Sequence, residues 1–194
     1  EDQIIQFRKK PASISWKDVL KLFVVKAVRL ARKNTHKKVN KRFPYIHPGS
    51  KSDRTCRIAI PIDTSGSVGD DLLAEFSAEL FRLTRFAEFI IIPFDCEVDE
   101  ANIHTYRKGK FQQFVRTRSG GTDFSAPTKY CNDKRFDAMI ICTDLCAPYP
   151  IKSKCKRMWL TSEEYVKDNY NEGIIKDIGK NKERLLIIKH KEKQ

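Results

Sequence analysis

Three short apolar runs constrain the fold more than any other feature of this sequence: CRIAIPID at 56–63, EFIIIPF at 88–94 and FDAMIICT at 136–143. Each has the length of a strand, and none alternates polar with apolar residues, so each reads as a strand buried on both faces. Between the first two, Val68 to Phe86 places Leu72, Leu73, Phe76, Leu80 and Leu83 at helical spacing. Later segments continue the alternation, with a short helix from Asp123 to Cys131, a strand from Met158 to Thr161, a helix from Ser162 to Tyr170 and a strand from Leu185 to Lys189. Residues 98–115 can supply a hairpin around Lys108-Gly109-Lys110. Doubly buried strands separated by helices predict an α/β, Rossmann-like fold, a mostly parallel central sheet flanked by helices. Pro61 has no amide hydrogen to give the ladder and suggests a bulge in the first strand.

Ahead of this core, residues 14–33 carry Trp16, Leu20, Phe23, Val24, Ala27, Val28 and Ala31 at three- and four-residue steps. Ser15 is placed to cap that helix, with Asp18 at its third position. Residues 34–57 then turn basic and polar, with Pro44, Pro48 and Gly49, and read as an extended connection pinned by Phe43 and Tyr45. Trp16, Phe43, Tyr45 and Trp159 are read as packing anchors. The sequence thus divides into a basic N-terminal helix and connection, residues 1–55, and an α/β domain, residues 56–194. At 194 residues and 40% hydrophobic content, one well-buried α/β domain with an appendage fits.

No run approaches the roughly 20 apolar residues of a spanning helix, and the start, Glu-Asp-Gln, has no signal-peptide pattern. The six cysteines form no CxxC pair and no zinc-type spacing with histidine, so they read as reduced thiols of a cytoplasmic protein. The net charge of +13 is unevenly spread. Residues 1–57 hold 16 Lys and Arg against 4 Asp and Glu, residues 58–145 hold 10 against 14, and residues 146–194 hold 12 against 7. A basic flank of this kind suits nucleic acid or an acidic protein face, with Lys37, Lys38, Lys41 and Arg42 as the candidate contacts. A solvated surface is the plainer reading of the same charges.

In an open α/β sheet, ligands sit where strands end and loops begin. Three such loops carry small oxygen-bearing residues: Asp63-Thr64-Ser65-Gly66-Ser67, Gly120-Gly121-Thr122-Asp123 and Thr143-Asp144. They lie far apart in sequence, but the fold can gather them at one sheet edge. Hard cations select these residue types, since Mg2+ takes six oxygens at about 2.1 Å and retains several waters. Hydroxyls of Ser65, Ser67 and Thr122 offer lone pairs without charge, while Asp63 and Asp144 act through coordinated waters. With few carboxylates bound directly, such a cation, Mg2+ or alternatively Mn2+ or Ca2+, keeps an open position for an outside Asp or Glu.

Asp63-x-Ser65-x-Ser67, followed by Thr122 and Asp144, resembles the metal-ion-dependent adhesion site (MIDAS) of von Willebrand factor A (VWA) domains. More narrowly, the order of Trp16 helix, Lys41-Arg42-Phe43-Pro44-Tyr45, IDTSGSV, Phe94-Asp95, GGTDF, DAMIICTD and Met158-Trp159-Leu160 is similar to the C-terminal VWA-like domain of a bacterial and phage family whose N-terminal half is assigned as a metallopeptidase. The resemblance implies a protein-interaction module with metal ligands Asp63, Ser65, Ser67, Thr122 and Asp144, and a MoxR-type AAA+ ATPase as partner. With four histidines and no HExxH, this chain lacks the peptidase half, and an interaction role without catalysis is expected. Two departures stand out: Leu145 occupies the place where the family usually has Gly, and Pro61 interrupts the first strand.

Other readings of the same residues are weaker. Asp-Thr-Ser-Gly echoes the aspartic protease motif, but the Gly falls one place late and only one copy exists. Ser65 as an esterase nucleophile would need GxSxG and a positioned His. Asp63, Ser65 and Ser67 could simply cap the following helix, which would leave GGTD and Thr143-Asp144 unexplained. Asp123 is read as a cap to its helix in preference to an acceptor behind the metal ligands, and Asp95 either faces the site or begins a turn.

Overall fold

A computed structural model describes residues 15–31, 33–51, 55–64, 69–109 and 121–188. In chain order the elements are α1 (Trp16–Leu30), β1 (Lys33–Val39), β2 (Pro48–Lys51), β3 (Arg57–Asp63), α2 (Asp70–Leu83), β4 (Glu88–Phe94), β5 (His104–Tyr106), α3 (Ser125–Lys134), β6 (Ala138–Cys142), β7 (Lys156–Ser162), α4 (Glu163–Val166), α5 (Glu172–Lys180) and β8 (Arg184–Ile188). Six strands form one sheet in the order β5-β4-β3-β6-β7-β8. Among the described strands of this sheet, only the edge strand β5 runs antiparallel. This is the mostly parallel, helix-flanked α/β architecture that the doubly apolar strands predict.

The two faces of the sheet are covered separately. Ile58, Ile60, Ile62, Phe89, Ile91, Ile140 and Leu160 point into one core with Leu73, Phe76, Leu80 and Leu83 of α2 and Leu20, Phe23, Val24 and Ala27 of α1. Ala59, Ile90, Ile92, Met139, Ile141 and Trp159 point the other way, onto Cys131 of α3 and Ile174 and Ile178 of α5. Burial on alternate sides by adjacent residues is why these strands read as continuous apolar runs. Ser15 caps α1 by accepting from the Lys17 amide at 3.3 Å, and Asp18 lies in the first turn.

Several local expectations are corrected. No bulge forms at Pro61: β3 pairs with β4 in one unbroken register from Arg57↔Glu88 to Asp63↔Phe94. The missing donor shows instead as a gap toward β6, where pairing skips from Ala59↔Met139 to Ile62↔Cys142 without a shift. The connection after α1 is a two-stranded antiparallel hairpin, β1 with β2, and is not merely extended. Phe43 and Tyr45 are exposed and join neither core, whereas Trp159 is fully buried and Trp16 packs against the first core. The helix expected at 162–170 is only α4 and a 3-10 turn at Asn169–Asn171, with α5 following. Gly173 and Gly179 lower the helical signal of α5, although Ile174 and Ile178 mark its buried face. For residues 98–115, Val98 bridges Phe94 and β5 pairs with β4, while residues 110–120 lie outside the described residues.

Arg157 fastens the segment between β6 and β7. Its guanidinium donates to Glu183 at 3.0 Å, to the Thr128 hydroxyl and the Ile151 carbonyl at 3.2 Å, and to the Tyr149 hydroxyl at 2.8 Å. Trp159 Nε1 completes the set by donating to Glu183 at 2.7 Å. Arg157→Ala would strand the Glu183 carboxylate in a largely buried place, a cost of about 3–5 kcal/mol. Urea unfolding followed by Trp159 fluorescence is expected to show that loss, with Arg157→Lys recovering only part of it because an ammonium cannot reach four partners in a plane.

Candidate functional site

The order β4-β3-β6 places β3 at the point where the chain reverses its direction of travel across the sheet. Going from β3 the chain first adds β4 on one side, then later adds β6 on the other. The loops leaving β3 and β6 therefore part in opposite directions and open a crevice at the strands' carboxyl ends. Asp63 is the last residue of β3, and Thr143-Asp144 comes directly after β6.

Here the distant loops meet. Asp63 is fully buried, and its carboxylate accepts from the Thr122 hydroxyl, at 3.2 Å to Oδ2 and 3.3 Å to Oδ1. Thr143 Oγ1 lies 3.0 Å from Asp63 Oδ2 and 3.3 Å from Asp144 Oδ1, so one hydroxyl proton stands between two buried carboxylates. Thr143 is a member of the cluster that sequence reasoning passed over as the residue preceding Asp144. Its signal was present in the sequence as a hydroxyl adjoining the aspartate, but its direction depends on how β6 is set beside β3.

The surrounding loops are fastened by their own backbone. The Thr64 amide and hydroxyl both donate to the Phe94 carbonyl at 3.0 Å, tying the β3 exit to the end of β4. Asp95 makes a turn: its Oδ1 accepts from the Glu97 amide at 2.9 Å, and its carbonyl accepts from the Asp123 amide at 3.0 Å, which holds the Thr122 loop in place. The Asp123 carboxylate accepts from the Ser125 amide at 2.8 Å, an Asx turn leading into α3, whose own N-cap is Phe124. Asp63 is not a helix cap; α2 begins after Gly69 with no side-chain cap bond. Ser65 and Ser67, as well as Gly66 and Gly120, lie outside the described residues.

Asp144 is steered by the residues on its C-terminal side. Its Oδ1 accepts from the Cys146 amide at 2.9 Å, and Asn171 Nδ2 donates to its carbonyl at 3.1 Å and to that of Tyr165 at 2.8 Å. The turn between them needs a left-handed residue, and Leu145 supplies it with φ +69°. Glycine adopts that conformation without strain, which gives a physical reason for glycine there in the resembling family. Leu145 offsets the strain by burying its side chain in the second core. Cys146 Sγ sits 3.8 Å from the Asp144 carbonyl and 3.9 Å from Asn171 Oδ1. Burial first, and then the Asp144 charge, push this thiol up to about 11, so it is a neutral thiol near pH 7.

The residues at this edge fit a hard cation. Two buried carboxylates sharing one hydroxyl repel each other, and a divalent charge offsets that repulsion. Thr161 Oγ1 and Ser162 Oγ, at the carboxyl end of β7 beside the β6 exit, are buried without a hydrogen-bond partner among the described residues. The oxygen donors described at this edge are the Thr122 and Thr143 hydroxyls and the Asp63 and Asp144 carboxylates, and among the described residues no three His, Cys, Asp or Glu side chains gather as a ligand group. That composition suits Mg2+ or Ca2+ chemistry and not the nitrogen and sulfur ligation of zinc. A groove of about 360 Å3 adjoins the Asp144 loop, lined by Leu145, Cys146, Tyr149, Tyr170 and Ile174.

Replacing Leu145 with Gly sets two terms against each other. Relief of the left-handed strain is worth about 1–2 kcal/mol, while loss of a buried leucine side chain costs about 2–5 kcal/mol. Leu145→Gly is therefore expected to lower stability by roughly 1–3 kcal/mol in denaturant melts, and a stabilised variant would contradict the described packing.

A protein of Thermotoga maritima described only as uncharacterized is 27% identical over 161 residues, which is 80% of this chain and 40% of that protein. This chain thus spans well under half the length of that relative. The crystal structure of the ArnB paralog VWA2 from Sulfolobus acidocaldarius superposes with a TM-score of 0.47 and 16% identity over 69% of this chain and 41% of that one. No helix among the described residues is long and apolar enough to cross a membrane. The family model described as VWA-like domain (DUF2201) matches residues 58–170, which run from β3 to the turn before α5 and contain every described residue of the cluster, and the chain belongs to that family.

Proposed function

We propose that the cluster is a metal-ion-dependent adhesion site: that Asp63, Ser65, Ser67, Thr122 and Asp144 hold Mg2+, or Mn2+ or Ca2+ in its place, and that the loaded site binds an exposed Asp or Glu of a partner protein. The convergence of Asp63, Thr122, Thr143 and Asp144 from three separate loops carries this reading. A helix-capping role accounts for none of those contacts.

The bound cation would supply positive charge and an open coordination position for an outside carboxylate. The chain's own residues determine how open that position is. Thr122 and Thr143 hold Asp63 by hydrogen bonds, while Cys146 and Asn171 hold Asp144 and its loop, so both carboxylates are fixed before a partner arrives. The groove beside Asp144, with the exposed Tyr170 at its rim, offers apolar contact to the residues flanking the partner's acidic side chain. No histidine stands among the described residues of the cluster, and the geometry favours binding over catalysis. By resemblance to the narrower bacterial and phage family, the partner is a MoxR-type AAA+ ATPase or a protein delivered to one, and the setting is the cytoplasm, where the free thiols of this chain would remain reduced.

Titration calorimetry with Mg2+ and with Mn2+ tests the site. Wild type is expected to bind, while Asp63→Ala combined with Ser65→Ala weakens binding at least about tenfold, the loss expected from roughly 1.4 kcal/mol or more of coordination energy. Absent wild-type binding, or equal binding by the double variant, would sink the reading. Co-purification with an AAA+ partner is expected to be lost in EDTA and restored by Mg2+.

A further inference from the structure

The hairpin β1-β2 and its tip, residues 33–51, contribute no residue to either core, yet they are built with care. Pairing runs Lys33↔Lys51, Asn34↔Ser50 and Thr35↔Gly49, then jumps to Val39↔Pro48. His36, Lys37 and Lys38 are thereby left looped out of the ladder and exposed. The close approach at this point requires glycine, since a Cβ on Gly49 would collide with the Lys38 carbonyl oxygen.

The tip is likewise clamped. Asn40 Oδ1 accepts from the amides of Arg42 at 2.9 Å and Phe43 at 3.1 Å, while its Nδ2 donates across to the Pro48 carbonyl at 3.2 Å. The His47 amide donates to the Phe43 carbonyl, and the two rings meet edge to face at 5.5 Å. Arg42 lies over the Phe43 ring at 5.6 Å. Tyr45 is held at φ +67° while 95% exposed, and Ile46 beside it is 76% exposed. A left-handed tyrosine is strained, because its Cβ crowds the following carbonyl. Nothing in the core recovers that cost, which points to a use outside the fold.

Charge identifies the occupant. Residues 33–51 contain six Lys and Arg, two His and no Asp or Glu. The cations are spread along the hairpin and are not confined to its aromatic tip: Lys51 lies at the base, Lys37 and Lys38 midway, and Lys41 and Arg42 beside the tip. Such a row along one arm suits the course of a polyphosphate backbone. We propose that the hairpin 33–51 is a binding arm for single-stranded nucleic acid, with Lys37, Lys38, Lys41 and Arg42 contacting phosphates and Phe43 and Tyr45 stacking on bases. Single strands present free base faces, and exposed aromatics within a cationic track are the chemistry that binds them. The arm is separate from the cation cluster, and its function needs no divalent metal.

Fluorescence anisotropy tests this with the 194-residue chain in EDTA, using labelled oligo-dT and oligo-U of about 20 nucleotides. Binding is expected for at least one, falling about 50-fold from about 50 to about 200 mM salt, the slope for four phosphate contacts on a single strand. Joint Lys37→Glu, Lys41→Glu and Arg42→Glu should abolish it with the melting temperature unchanged. Tyr45→Gly, which removes the backbone strain, should weaken binding about tenfold without lowering the melting temperature. The proposal is overturned by no binding of either oligomer, by full affinity in the charge-reversed or Tyr45→Gly protein, by equal affinity for a duplex of the same length, or by tighter binding to phosphatidylserine vesicles. EDTA in every arm keeps the outcome independent of the cation site.

Discussion

Strands covered by apolar side chains on both faces can offer polar chemistry only at their ends. In this sheet β6 is buried along its whole length and β3 from Ile58 onward, so Asp63 and Thr143-Asp144 appear where each strand stops and its loop departs. The reversal of chain direction between β4 and β6 keeps those departing loops from closing over one another. Every feature of the candidate site depends on that constraint: the depth of the carboxylates, their nearness, and the crevice above them.

Holding two carboxylates together in a buried place is costly unless something offsets it. Thr143 gives one hydroxyl to the pair, Thr122 supports Asp63, and backbone and side-chain amides from Cys146 and Asn171 fix Asp144 and its loop. The supporting structure reaches further out, because Arg157 ties the far end of the Asp144 segment to α3 and to Glu183. A ligand set built from short hydroxyl side chains and restrained carboxylates is one arranged in advance, so a cation would displace repulsion without reorganising loops. Under the proposed function, the groove next to Asp144 would take the apolar neighbours of a partner's acidic residue on the same face.

Leu145 and Tyr45 both take left-handed backbone, and they illustrate two ways a fold can use strain. At Leu145 the side chain is buried in the second core, so packing compensates for conformation within the domain. At Tyr45 the ring stands in solvent on an arm outside both cores, and no such compensation exists in the fold. The same departure from allowed geometry is a packing matter in one place and a binding surface in the other.

Periodicity and burial pattern in the sequence determined the α/β class, the strands β3, β4 and β6, the α1 and α2 faces, and the candidacy of Asp63, Thr122 and Asp144. These are legible because strand and helix periods, strand-end positions and residue chemistry are local properties. Tertiary structure alone decided that Thr143 bridges the two carboxylates, that Asn171 reaches back to the Asp144 carbonyl, and that Pro61 sits in an unshifted ladder. Each of those depends on how one strand is set against another, with 80 positions between Asp63 and Thr143. It also decided that Phe43 and Tyr45 face solvent, since an aromatic in a basic segment packs only if a core lies within reach. Sequence names the residues able to do the chemistry, and strand order decides which of them meet.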